Sequence, residues 1–355
     1  MLELAFTVED LARTRFAISP LWEIVASVRL LKSPRARAFH QGWAVETEQR
    51  LHRSGNDLGL LFGLVDPAVW YLPDLLSPSP RSPVPDLTSE LAALRRLPAD
   101  QVRADLGVLA YARTNQIGSL AEAKVPRGPD RRTPERLPAG PIRDLYDDPE
   151  TGLDRLANEL AAYWDLAIGP HWGRIRALLE GDVLYRARQL ADEGHARLFS
   201  DLADTVRWRN GSLFIRHRRF GGVRELSGEG LLLVPSAFVW PAVFSSAIPP
   251  WQPTLTYPAR GIATIWEASG GAVPEGLAKA LGRSRADLLG QLDLPRSTTE
   301  LASRTGLTPG GASQHLSALR AAGLVTPHRV GRIVLYARTA AAEALLVAAG
   351  QRSDT

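Results

Sequence analysis

The sequence predicts a mainly α chain that carries a small antiparallel β-sheet, an α+β class. Three observations predict it. Apolar residues recur at helical spacing over most of residues 1–206, the pattern shortens to strand-like runs between turn signals over 207–260, and 283–350 is punctuated by closely spaced helix caps and stops. At 355 residues the chain is long for a single core, so two or three domains are expected. With 45% hydrophobic and 23% charged residues it has the balance of an ordinary globular protein, which excludes a disordered chain.

The region 1–206 is expected to be mostly helical, as in Leu21, Ile24, Val25, Val28 and Leu31, with the reading extending from Leu2 to about Leu76. Proline-rich breaks interrupt it at 77–85, read as a linker or loop, and at 125–141, where five prolines and four arginines suggest a solvated surface. Helical spacing returns over 144–206, in Leu153, Leu156, Leu160 and Tyr163. Val206–Arg209, an Asn210-Gly211 turn and Ser212–Arg216 then predict a hairpin, because Asn-Gly supplies the positive φ angles of a type I′ turn. Residues 230–235 and 253–257 read as further strands of the same small sheet, packed with the helical region. Residues 230–259 contain no charge, but Pro235, Pro241, Pro249 and Pro250 would break a membrane helix, so buried strands and turns are expected. Helical pattern resuming near Ile262–Glu267 implies a connecting helix within 261–282.

Composition removes several chemistries. Without cysteine there are no disulfides, thiolate metal sites or cysteine nucleophiles. The first residues lack the basic and apolar regions of an export signal, so a cytoplasmic location and no membrane role are expected. His171, His195 and His217 are too scattered to hold a metal, and no cofactor is expected. No Gly-x-Ser-x-Gly elbow, Gly-x-Gly-x-x-Gly loop, phosphate loop or His-Glu-x-x-His is present, and pairs such as Asp147-Asp148 do not share a helix face. The expectation is a protein that is not an enzyme.

Charge is informative by location. The whole chain is +4, while Arg283–Arg338 holds eight arginines against three acids, a local balance of +5, and residues 301–342 contain no acid. Arginines that neutralise duplex phosphates release condensed counterions, so this is the electrostatic footprint of a nucleic-acid-binding face.

Local signals in the same segment agree. A first helix entered near Arg283-Ser284, with Ser284 as candidate cap, carries Leu288, Leu289 and Leu292. Ser297-Thr-Thr-Glu300 has the form of a capping box, opening a short helix, Thr298–Arg304, that Gly306 stops. After Leu307, Thr308-Pro309 caps and starts a third helix, with Ala312, Leu316 and Leu319 on one face and Gly323 closing it. Its other side presents Gly310, Gly311, Ser313, Gln314, His315, Ser317 and Arg320, small or hydrogen-bonding groups suited to a major groove. A hairpin with Gly331 at its tip places Arg329 and Arg332 for phosphates or the minor groove. An alanine- and leucine-rich helix, Ala340–Ala349, is expected to need a partner surface.

Thr299-Glu-Leu-Ala302, Ser313-Gln-His-Leu316, Leu319-Arg-Ala-Ala-Gly-Leu-Val325 and Arg329-Val-Gly-Arg332 with Tyr336 resemble the ArsR/SmtB-like winged helix-turn-helix repressors. That resemblance implies a winged helix-turn-helix over 283–350 with a terminal dimerisation helix. It also implies a homodimer on an inverted-repeat operator in double-stranded DNA, with release by an effector. The DNA-facing residues are then Thr298, Arg304, Thr308, Gly310, Gly311, Ser313, Gln314, His315, Ser317, Arg320, Arg329 and Arg332, of which Ser313, Gln314 and His315 match the family's usual triplet. The family's cysteine metal site on the second helix is absent, since Leu301-Ala302-Ser303 stands there, and so is a terminal-helix site of Asp and His. The N-terminal part, with Ser19-Pro-Leu-Trp-Glu23, resembles the uncharacterised region preceding such winged helices in actinobacterial regulators. A hydrophobic or aromatic effector is placed near Trp240, Trp251 and Tyr257. Two other readings compete: a winged helix reused as a protein-interaction module, and an enzyme with a DNA-binding tail.

Overall fold

The computed structural model describes residues 1–33, 37, 40–80, 82–115, 118–119, 136–262, 265–266, 275–292, 296–330, 333–339, 341–342 and 345–346. The chain divides into two compact units, Met1–Arg37 with Ala44–Arg260, and Ala38–Trp43 with Gly261–Thr355.

In the larger unit, β1 (Leu2–Ala5), α1 (Val8–Arg13) and β2 (Arg15–Phe16) precede α2 (Pro20–Leu31). Helices α3 (Gln41–Ser54), α4 (Gly59–Leu64), α5 (Leu87–Arg95) and α6 (Ala99–Thr114) lead to β3 (Gly118–Ser119), α7 (Pro141–Asp147), α8 (Pro149–Tyr163) and α9 (Trp172–Ser200). Gly194, at φ 75°, interrupts α9. Strands β4 (Val206–Arg209), β5 (Ser212–Ile215), β6 (Phe220–Glu225), β7 (Leu232–Ser236), β8 (Phe244–Ser246) and β9 (Thr254–Pro258) complete the unit.

Helix α2 is buried almost all round, as its nearly unbroken apolar sequence requires. Ser19 caps it, accepting from Trp22 N at 3.0 Å, and Pro20 occupies its first turn. The Glu90 carboxylate accepts from Ser19 Oγ and Leu21 N, both at 2.7 Å, tying α5 to the start of α2. Helix α8 packs against α4, α5 and α7, burying Leu153, Leu156 and Leu160.

The predicted hairpin forms: β4 pairs antiparallel with β5 around Asn210 at φ 51° and Gly211 at φ 78°. Two other expectations are corrected. First, Leu2–Ala5 is a strand, central in a five-stranded sheet of order β3-β6-β1-β5-β4, with Leu2 and Leu4 buried. It runs antiparallel to β5 and parallel to β6, and Gly221 makes that approach possible, since a Cβ there would lie 2.6 Å from Met1 O. Second, 230–235 and 253–257 do not join this sheet. Strands β7 and β9 pair parallel to each other in a separate sheet of order β2-β7-β9-β8. Strand β7 is buried at every position and β9 at its three central ones, which removes the alternation that marks a half-exposed strand. The break at 77–85, read as a linker or loop, is a loop of this unit: Pro78 and Pro80 are buried, and Pro83 O accepts from Ile18 N at 2.9 Å. Most of the break at 125–141 lies outside the described residues.

The smaller unit contains α10 (Glu275–Leu281), α11 (Arg283–Gln291), β10 (Arg296–Ser297), α12 (Thr298–Thr305), α13 (Pro309–Ala321), β11 (Val325–Val330) and β12 (Ile333–Arg338). Its strands form an antiparallel sheet of order β10-β12-β11. Leu288, Leu289, Leu301, Ala312, Leu316 and Leu319 make one core with Leu324 and Val325. Of Ile262–Glu267 only 262, 265 and 266 are described, in short turns, and the connecting stretch 261–282 contains α10 at Glu275–Leu281. Of the predicted terminal helix, only 341–342 and 345–346 are described, and Ala342 and Leu346 join the core of this unit.

Candidate nucleic-acid interface

The three-helix array is built by short-range chemistry. Helix α11 is capped by Gly282 at φ 83°, with no side-chain cap, so Ser284 does not serve as its cap. Ser297 Oγ accepts from Glu300 N at 3.2 Å, but the reciprocal half of the capping box is missing. The Glu300 carboxylate instead takes the Arg296 guanidinium at 2.6 Å, a charge-assisted bond that outcompetes a neutral amide. Helix α12 ends at Gly306 in the left-handed region, φ 70°, where a side chain would be strained. Thr308 Oγ1 then accepts from Gly311 N at 3.1 Å and starts α13 with Pro309 in its first turn.

Helix α13 is two-faced. Ala312, Leu316 and Leu319 are buried in the core, while Thr308, Gly310, Ser313, Gln314, Ser317 and Arg320 are exposed and Gly311 and His315 are half-buried. The exposed groups are donors and acceptors on small or flexible side chains, none of them acidic. Of the other predicted contacts, Thr298 is half-buried and Arg304 is exposed, its Nε donating to Gln291 Oε1 at 2.7 Å. Arg329 lies on β11, but its side chain and the whole of Arg332 are outside the described residues.

The arginine surplus is not all available for phosphates. Arg296 is buried, donating to Gln291 O at 2.8 Å besides its ion pair with Glu300. Arg338 donates to Leu289 O at 2.7 Å and Gly290 O at 2.6 Å, satisfying the last carbonyls of α11 where a cation opposes the helix dipole. Both residues carry structure. Arg320 stands on the exposed face of α13.

The three aromatics proposed for an effector lie in the larger unit. Tyr257 is buried and donates its hydroxyl to Asp182 Oδ2 at 2.8 Å. Trp251 is buried with its carbonyl accepting from Arg224 at 3.0 Å, and Trp240 is half-buried. Among the described residues no group of acids and histidines could hold a metal ion, and no helix is long and apolar enough to cross a membrane.

Two family models match the chain. One describes a family of unknown function, DUF5937, and matches residues 2–263. The chain belongs to DUF5937. The other is a helix-turn-helix domain matching residues 283–328, from α11 into β11. No curated protein and no solved structure matches. This DUF5937 chain therefore carries, beyond its family region, the helix-turn-helix module of DNA-binding regulators.

Proposed function

We propose that the chain is a winged helix-turn-helix transcriptional regulator of the ArsR-like kind, which binds an inverted-repeat operator as a homodimer and releases it when the DUF5937 region takes up an effector. The observation that carries this reading is the acid-free outer face of α13. Gln314 suits bidentate pairing with adenine, and Ser313, His315 and Ser317 can reach base edges, while Thr308 and Arg320 border them for phosphates. The β11–β12 hairpin then acts as the wing, with Arg329 and Arg332 toward the neighbouring backbone or minor groove. Dimer symmetry places the two α13 helices in successive major grooves, about 34 Å apart.

Fluorescence anisotropy of the full chain on the DNA upstream of its own gene tests the reading. Specific binding should weaken with salt, log K falling by about 0.9 per phosphate neutralised for each unit of log salt. Gln314→Ala should narrow the gap between this DNA and a scrambled duplex. Equal affinity for both duplexes in the unaltered protein, or an unchanged preference in the variant, overturns it.

A further inference from the structure

The larger unit holds a cavity of about 260 Å³, far from the predicted DNA-facing residues in sequence and built from six separate stretches of the chain, including Val234 on β7 and Thr254 and Thr256 on β9. Helix α2 supplies Trp22 and Arg29, the stretch after α4 supplies Trp70, Tyr71 and Asp74, β6 and the residues before it supply His217, Arg219 and Phe220, and β8 supplies Phe244 and Ser245. Trp240, Trp251 and Tyr257 do not line it.

Its walls are aromatic. Trp70 stacks on Phe220 with ring centroids 5.4 Å apart, and Trp22 meets Phe244 edge to face at 5.7 Å. Such rings present flat apolar faces and positive edges to a further ring. The polar side of the cavity is cationic. Arg29, half-buried, lies over the Phe244 ring at 5.1 Å and reaches only main-chain carbonyls, Asp66 O at 3.3 Å and Pro67 O at 3.5 Å. Arg219 donates to Ala68 O at 2.5 Å, and Arg218 stands exposed beside it. Among the described residues none of these three arginines makes an ion pair with a carboxylate.

The acids nearest these arginines do not pair with them. Asp74 lines the cavity but makes no ion pair with these arginines; burial, and then the neighbouring Asp105, hold its carboxyl well above the usual range, and it accepts from Tyr71 Oη at 3.1 Å. Asp66 acts on Arg29 from beyond ion-pair distance. His217, its Nε2 2.8 Å from Ser245 Oγ, is pushed down to about 4 by burial and then by the amino terminus, and is neutral. Three guanidinium groups thus border an aromatic cavity with no ion pair to a carboxylate among the described residues, Arg29 half-buried and Arg218 and Arg219 exposed. A desolvated guanidinium is most favourably satisfied by a carboxylate in bidentate geometry.

We infer that this cavity binds a small aromatic carboxylate of one or two rings, with the ring among Trp22, Trp70 and Phe244 and the carboxylate on Arg29 and Arg219. The volume lies just below the roughly 300–1,000 Å³ common for ligand sites, which selects for a compact molecule. As an effector this ligand rests on the regulator reading above; as a bound ligand it stands apart from it.

The test titrates the full chain with benzoate, phenylacetate and 1-naphthoate and with the matching uncharged amides, following tryptophan fluorescence and heat. Saturable binding of at least one acid is expected, with its amide at least tenfold weaker. Arg29→Gln should weaken that acid at least tenfold and leave the amide unchanged. Arg219→Gln, at an exposed position, repeats the test without touching the interior. Equal affinity for acid and amide overturns the inference, as does failure of all three acids to saturate or indifference to both substitutions. DNA binding measured in parallel separates the two readings. Acids that saturate without loosening a specific DNA complex leave the cavity assignment standing and end the effector role; specific DNA binding with no acid bound does the reverse.

Discussion

Glu23 sits in the middle of α2 with no exposed surface, and nothing near it is basic enough to hold it charged. Burial pushes its carboxyl up to about 8, against partial relief from the Ser236 hydroxyl and the Ala237 amide. Ala237 N donates to Oε2 at 3.0 Å, while Oε1 has no partner. The acid is therefore protonated in the folded chain at neutral pH and ionised in the unfolded chain. Because the folded pKa is the higher, the folded state holds one more proton between about 4.5 and 8. Its contribution is whole below 4.5 and is lost as pH rises to 8. Linkage sets that loss at about 1.4 kcal/mol per pH unit. Over the window it amounts to a few kcal/mol, a large part of the roughly 5–15 kcal/mol by which domains are stable. Glu23→Gln keeps an oxygen for Ala237 N and puts an uncharged amide where Oε1 lies. Urea melts of both proteins, followed by tryptophan fluorescence from pH 5 to 8, should show the variant gaining on the parent by about 1.4 kcal/mol per unit. Glu90, pushed up to about 7 mainly by burial, titrates in both proteins and cancels in the difference. Parallel pH profiles would refute the argument that this carboxyl is carried neutral.

Leu316→Ala removes a side chain with no exposed surface from the core of the smaller unit and should cost about 2–5 kcal/mol, read as faster hydrogen exchange across 277–338. Arg338→Gln withdraws a charged donor from the last carbonyls of α11 and should cost about 1–3 kcal/mol in the same assay. Gln314→Ala, at an exposed position, should change stability by less than about 0.5 kcal/mol. The same substitution should lower affinity for a specific duplex by about 1–3 kcal/mol, a pairing of outcomes that a merely structural residue would not give.

What was legible in the amino-acid order was what short-range chemistry decides. Thr308, Pro309 and Gly306 bound α12 and α13 because caps and left-handed stops act within a turn, and Asn210-Gly211 makes its hairpin for the same reason. Residues Leu2–Ala5 carried too few positions to show a period, and their partners lie beyond residue 211. The parallel pairing of β7 and β9 has no turn to announce it, and full burial erased the alternation that would have separated this sheet from the first. Charge counting located a basic face but could not tell a phosphate contact from Arg296 and Arg338, whose partners are a carboxylate and main-chain oxygens of the same unit. The cavity escaped because its rings come from segments that only the tertiary fold brings together, whereas Trp240, Trp251 and Tyr257 were grouped by proximity along the chain.

The central position of β1 has a consequence for biosynthesis. Leu2 faces Ile215 across the ladder, so the strand leaves the ribosome long before either neighbour exists. At about 5–20 residues per second that interval is on the order of ten to forty seconds. Throughout it an apolar ribbon with open hydrogen-bonding edges is available to any passing strand or chaperone. Slow codons or lowered temperature before residue 215 would lengthen the exposure, and yield of soluble protein should be sensitive to translation speed in that stretch more than in the helix-turn-helix unit, which closes on contacts made within its own few dozen residues.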